Sequence, residues 1–87
     1  MVDILGTLYR VIIDNKYLSE KELLGEVDFN EKIIYLTDSK EALLHEIIHA
    51  YLFESGLQEW ATDEKLVTWI ELQFNKIIYS KEEYENY

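Results

Sequence analysis

The sequence predicts an α+β fold, with strands in its front half and helices in its back half. Two observations carry that expectation. Runs rich in β-branched and aromatic residues lie before Asp38, and apolar residues at three- and four-residue steps fill the chain after it. In 87 residues without proline or a Gly/Ser-rich linker nothing marks an internal boundary, so one domain is expected over residues 1–80, with a polar tail at 81–87.

From Thr7 to Ile13, Tyr9, Val11 and Ile13 alternate against Arg10 and Ile12, which predicts a strand with Ile4-Leu5 as its lead-in before Gly6. Glu26-Val27-Asp28-Phe29 and the run from Lys32 to Thr37 flank Asn30-Glu31 and read as a β-hairpin. Between these, Ser19 to Leu24 holds good helix formers but has length for only a turn of helix. Asp38 stands three residues before Glu41, an acidic form of the capping box, and predicts a helix from about Ser39 to Ser55. Gly56 is its natural stop, because glycine readily takes the left-handed conformation that closes a helix. A second helix is expected from near Thr62, where Leu66, Val67, Ile70, Phe74, Ile77 and Ile78 form one apolar stripe. Past Ser80 that periodicity stops, so the tail is expected to fray and is assigned no chemistry.

Hydrophobic residues make up 48% of the chain, enough for a core without disulfides. Cysteine is absent, which excludes thiolate metal sites and leaves only nitrogen and oxygen ligands for any ion. A net charge of −10 repels phosphate backbones and anionic membrane surfaces, so no direct nucleic-acid or membrane partner is expected. Met1-Val2-Asp3 opens without a basic segment and no apolar run is long enough to span a bilayer, which makes the cytoplasm the expected compartment.

His45-Glu46-Ile47-Ile48-His49 is an HExxH pattern inside the predicted first helix. Residues four apart on an α-helix lie about 40° from each other, so His45 and His49 can reach one ion. Neutral imidazole is a common zinc ligand, and catalytic zinc sites use three protein ligands and keep a position for water. Glu46, one residue after His45, projects beside that position and can take a proton from the water the metal activates. The motif uses both histidines of the chain, on a helix where Leu43, Leu44, Ile47, Ile48 and Leu52 surround it. A third ligand must be Asp or Glu, and Glu64 and Glu71 on the second helix are the candidates. They share nearly one face but lie about 10 Å apart along the axis, so only one reaches the ion. Folding the helices back on each other mildly prefers Glu71, while Glu64 has a simple alternative role beside the helix dipole.

Together with Ile4 to Val11, the strand Ile33-Ile34-Tyr35-Leu36, the segment Leu43 to Leu57, and Asp63-Glu64-Lys65-Leu66-Val67, the motif resembles short, often phage- or prophage-encoded HExxH proteins similar to the ImmA/IrrE-type metallopeptidases, within the gluzincins. The resemblance implies Zn2+ held by His45, His49 and Glu64, because that family's second helix begins with a glutamate ligand in the register that Glu64, Val67 and Thr68 match. Thr68 stands where the family often has an acidic residue, which departs from its support of a histidine ligand. The resemblance further implies a minimal zincin-like arrangement of about three antiparallel strands on a two-helix hairpin. An edge strand there receives an extended peptide, for which Lys32 to Thr37 is the candidate. Tyr35, Tyr51 and Tyr79 are possible transition-state donors, with none singled out by spacing.

The function this implies is a zinc-dependent peptidase acting on a protein or peptide substrate, with Glu46 as catalytic base. The alternative is a non-catalytic phage or prophage regulatory module that retains the metal site for partner binding.

Overall fold

Val2–Ile4 (β1) and Thr7–Ile13 (β2) form an antiparallel hairpin in a computed structural model that describes the backbone of residues 1–85 and the side chains of residues 1–77. The expected lead-in is thus a strand of its own. Leu5 and Gly6 both take positive φ, 51° and 88°, the primed turn whose twist matches a two-residue hairpin. Leucine is a poor occupant of that conformation, so Leu5-Gly6 lacks the Asn-Gly look of such turns. The Asp3 carboxylate accepts the Gly6 N–H at 2.8 Å and holds the turn in place of a local asparagine.

Asn15–Glu20 forms α1, starting one turn before the Ser19–Leu24 segment, whose sequence leaves helix undecided. Asp14 decides the start, since its side chain accepts the Tyr17 N–H at 3.0 Å and caps the helix. Gly25–Asp28 (β3) and Ile33–Leu36 (β4) pair antiparallel, as the hairpin pattern predicts. Asp28 stabilises their turn by accepting the N–H groups of Asn30 and Glu31.

The sheet differs from expectation in number and sense. Its order is β1-β2-β4-β3, and β4 lies parallel to β2, from Arg10 opposite Ile33 to Ile13 opposite Leu36. Four strands in a mixed sheet therefore replace about three antiparallel ones. Burial explains the order: Ile33, Ile34 and Leu36 are all buried, whereas β3 alternates Gly25, Glu26, Val27 and Asp28. The more apolar strand goes to the centre and the more polar one takes the edge. β4 consequently has both edges paired, and the run from Lys32 to Thr37 is not an open edge; the edge strands are β1 and β3.

The motif helix α2 spans Leu43–Glu54, about one turn shorter at its start than the expected Ser39–Ser55. Lys40 takes φ 57°, which no helix interior accommodates, and the Asp38 N–H is given to Asn15 Oδ1 at 3.0 Å. The loop from Asp38 is therefore tied to α1, and Ala42 opens α2 without a side-chain cap. The other end agrees with expectation. Gly56 has φ 83°, the Leu57 N–H bonds the Leu52 carbonyl, and the Gly56 N–H bonds that of Phe53, a Schellman closure.

Gln58–Ala61 adds a single turn, α3, before α4 at Glu64–Glu85. Asp63 caps α4 by accepting the Leu66 N–H at 3.1 Å, so the helix begins two residues after Thr62. Of the apolar stripe, Leu66, Val67 and Ile70 pack inward, but Phe74 and Ile77 are 48% and 63% exposed because nothing described lies over that part of the helix. The Ile78 side chain lies outside the described residues. The helix backbone runs on through residues 81–85 of the expected tail, and residues 86 and 87 lie outside the described residues. No described helix is long and apolar enough to cross a membrane.

Helix α2 belongs to two apolar clusters. Ala50, with Leu43 and Ile47, meets Ile4, Tyr9, Ile34 and Leu36 of the sheet, while Ile48 and Leu52 meet Ala61 and Val67. Its C-terminal end is held by Glu54, which accepts from Tyr9 Oη at 2.6 Å, Lys32 Nζ at 2.8 Å and Thr7 Oγ1 at 3.0 Å. Lys32 and then Tyr9 keep the Glu54 carboxyl below its ordinary range. Burial, and then Glu54 itself, hold the Tyr9 phenol protonated. A carboxylate with a lowered pKa stabilises the fold above its unfolded-state value of 4.5, and the contribution is lost as pH falls through the folded value. Glu54→Gln should cost about 1.5–3 kcal/mol near neutral pH, the scale of hydrogen bonds to a charged group. The deficit should shrink in acid, as read by urea denaturation of both proteins on either side of that titration.

Candidate metal centre

His45 and His49 stand one helical turn apart on α2, facing α3 and the first two turns of α4. His49 is 6% exposed, and its Nδ1 contacts the Ala61 carbonyl oxygen. A carbonyl only accepts, so Nδ1 carries the proton and Nε2 presents a bare lone pair. His45 is arranged the same way, with Nδ1 3.2 Å from the Glu71 carboxylate and Nε2 turned toward His49.

Glu64, the first residue of α4, completes the group. Its two oxygens lie 2.9 Å from His45 Nε2 and 3.0 Å from His49 Nε2, and the two Nε2 atoms lie 3.2 Å apart. Around a tetrahedral ion with nitrogen ligands at about 2.0–2.1 Å, donor atoms sit about 3.3 Å from one another. The observed separations come close to that figure. With both outer nitrogens donating, neutral imidazoles turn their Nε2 lone pairs toward the Glu64 oxygens, an arrangement that a metal ion, or an added proton on His45, satisfies. His45, His49 and Glu64 can hold a metal ion, with ligand atoms all within 4.8 Å of one another.

Glu71, the other candidate for third ligand, meets the far nitrogen of His45 instead of the convergence point. It occupies the orienting role that the departure at Thr68 left open, and does so from one turn further along α4. The Ala61 carbonyl, which does the same for His49, has no side-chain signature and is invisible in sequence.

Without a metal, a proton takes the cation's place. Burial lowers the pKa of His45, but its hydrogen bonds to Glu64 and Glu71 outweigh burial and raise it above 6.5. Glu46, 6% exposed, lines the same cavity with its carboxyl against Gly25 of β3, and makes no hydrogen bond among the described residues. Burial pushes its carboxyl up to about 7, against the pull of His45 and with the help of Glu64, Glu26 and Glu71. Gly25 is what lets β3 come so near: a Cβ there would sit 2.9 Å from Glu46 Cγ and 3.0 Å from Ala42 Cβ. A glycine opening a β-prone run is the sequence signal for such close approach.

A cavity of about 730 Å³ opens beside this group, walled by Gly25, Glu26 and Val27 of β3 on one side and by α2 and Glu64 on the other. Of the three tyrosines considered as donors, neither described side chain, Tyr35 nor Tyr51, lies in the cavity lining. Tyr35 packs on Tyr17 with ring centroids 4.9 Å apart, Tyr51 is half exposed away from the cavity lining, and the Tyr79 side chain lies outside the described residues.

No protein-family model, curated protein or solved structure matches this chain.

The geometry orders the expected losses of divalent-metal affinity. His45→Ala and Glu64→Ala remove a ligand and should abolish binding in a competition titration, whereas Glu71→Gln should weaken it by about 10–100-fold, as lost support of a ligating histidine does. Because protons on His45 compete with the ion, apparent affinity should fall with pH from above 6.5 downward.

Proposed function

We propose that this protein is a cytoplasmic zinc-dependent peptidase of minimal zincin type, as its resemblance to ImmA/IrrE-type metallopeptidases implies. One observation carries the proposal: the buried, unbonded Glu46 carboxyl stands beside a cluster of inward-facing acceptors at the wall of an open cavity. A site kept only for stability has no use for a proton acceptor next to its ligands.

His45, His49 and Glu64 would hold the ion. Zinc bound there supplies a Lewis acid that polarises a peptide carbonyl and brings the pKa of water toward neutrality. Glu46 takes the proton from the attacking water and delivers it to the departing amide nitrogen. Its raised pKa suits both halves of that transfer, since a group poised near neutrality accepts and releases a proton with little penalty. A bound dication would draw that pKa down, and burial opposes the fall. The Ala61 carbonyl and Glu71 keep both imidazoles in the tautomer that ligates. The unpaired edge of β3 is the place for an extended peptide to add as a further strand, which brings its backbone alongside Glu46.

A second reading, a non-catalytic partner-binding module that retains the metal site, draws on a different observation. Trp69, Leu72, Phe74 and Ile77 of α4 are each about half exposed or more, apolar side chains spread around the helix that peptide hydrolysis at the cavity does not use.

Zinc content and peptide-library cleavage of Glu46→Gln separate the two. The peptidase reading expects full zinc occupancy with cleavage reduced by at least about a thousandfold, the scale of losing a general base and its positioning. Absence of cleavage by the unaltered, zinc-loaded protein would leave the binding module.

A further inference from the structure

The cavity beside the metal cluster carries one sign of charge. Its described lining contains six glutamates and no lysine or arginine. Glu46, Glu64 and Glu71 stand on the helix side; Glu22, Glu26 and Glu41 come from the α1–β3 loop, from β3 and from the turn before α2. A divalent ion cancels at most two of these charges. Lys21 offsets a third at Glu26, 3.2 Å away, while Glu22 and Glu41 are exposed and form no ion pair among the described residues. A cleft with apolar walls and uncancelled charge of one sign focuses its field on whatever enters.

Two further features say what kind of cation fits. Leu23 and Leu24, 42% and 57% exposed, stand on the same rim directly after Glu22. Exposed leucines beside carboxylates suit a long side chain with an aliphatic stem and a charged head; a small inorganic cation gains nothing from them. Glu46 itself is 6% exposed, makes no hydrogen bond among the described residues and lines the cavity, where its carboxyl oxygens stay open to a polar group that enters.

We infer that the cavity selects protein segments carrying lysine or arginine next to the backbone it receives, with Glu22 and Glu41 as the discriminating residues. For cleavage the inference rests on the peptidase reading above; for binding it stands alone. An acidic segment meets like charge from several elements at once and is turned away.

The test is fluorescence anisotropy with two labelled peptides, identical except that lysines in one replace glutamates in the other, on zinc-loaded Glu46→Gln protein. The lysine peptide should bind at least about tenfold tighter, with the difference shrinking as salt rises from about 0.05 to about 0.5 M. The double substitution Glu22→Gln with Glu41→Gln should remove most of the preference. Glu20→Gln with Glu31→Gln, exposed positions outside the cavity lining, makes the same change in net charge and should retain it. Equal or undetectable binding of both peptides overturns the inference, as does an equal loss in the two double variants. Cleavage by the unaltered protein is scored separately: charge preference without cleavage sinks the peptidase reading alone, and cleavage without charge preference sinks this one alone.

Discussion

The arrangement of this protein turns on two protons that point the wrong way for a bare histidine pair. His49 gives its Nδ1 proton to the Ala61 carbonyl and His45 gives its own to Glu71, so both Nε2 lone pairs face inward onto the oxygens of Glu64. Four acceptors within hydrogen-bonding distance repel one another unless something positive sits among them. The supporting contacts come from α3 and from the second turn of α4, which means that packing of three helices, and not the motif alone, sets the tautomers. The short α3 matters for this reason. It brings the Ala61 carbonyl under His49 and delivers Asp63 as the cap that starts α4 one residue before Glu64.

Helix α2 can present those groups reliably because it is fixed on two sides. One apolar cluster joins it to the sheet and another to α3 and α4, and the Glu54 carboxylate fastens its end to Tyr9 and Lys32. The same double attachment gives Glu46 its character. On the sheet side, Gly25 lets the backbone of β3 approach until no methyl group fits between, and the resulting exclusion of water lifts the Glu46 pKa to about 7. A metal-binding face and a proton-accepting face thus lie on adjacent sides of one helix, each shaped by a different neighbour.

Acidity, which in the composition only argues against phosphate backbones and anionic membranes, acquires a location. Six glutamates line the cavity, and they come from five separate segments of the chain. Because the wall also holds exposed leucines, the field acts on segments that combine charge with apolar length, which connects the overall composition to the kind of chain the cavity can retain.

Much of this was legible in the sequence, for physical reasons that are local. Helical periodicity and the i, i+4 spacing depend only on the backbone turn, so the pairing of His45 with His49 and the glycine closure at Gly56 could be read directly. The Asn30-Glu31 turn was likewise written between its two strands. Helix starts were less legible: Asp14 rather than a residue near Ser19 begins α1, and the positive φ of Lys40 with the Asn15–Asp38 bond delays α2. Strand order, the parallel β2–β4 pairing, the exchange of edge from β4 to β3, and the division of labour between Glu64 and Glu71 required the tertiary structure. Each depends on which surfaces meet across the fold: burial of Ile33, Ile34 and Leu36 drew β4 inward, and the angle between α2 and α4 brought Glu64 to Nε2 and Glu71 to Nδ1. The sequence by itself determined which atoms could bind or move a proton; only the packing of α2 against β3, α3 and α4 decided which way each of them faces.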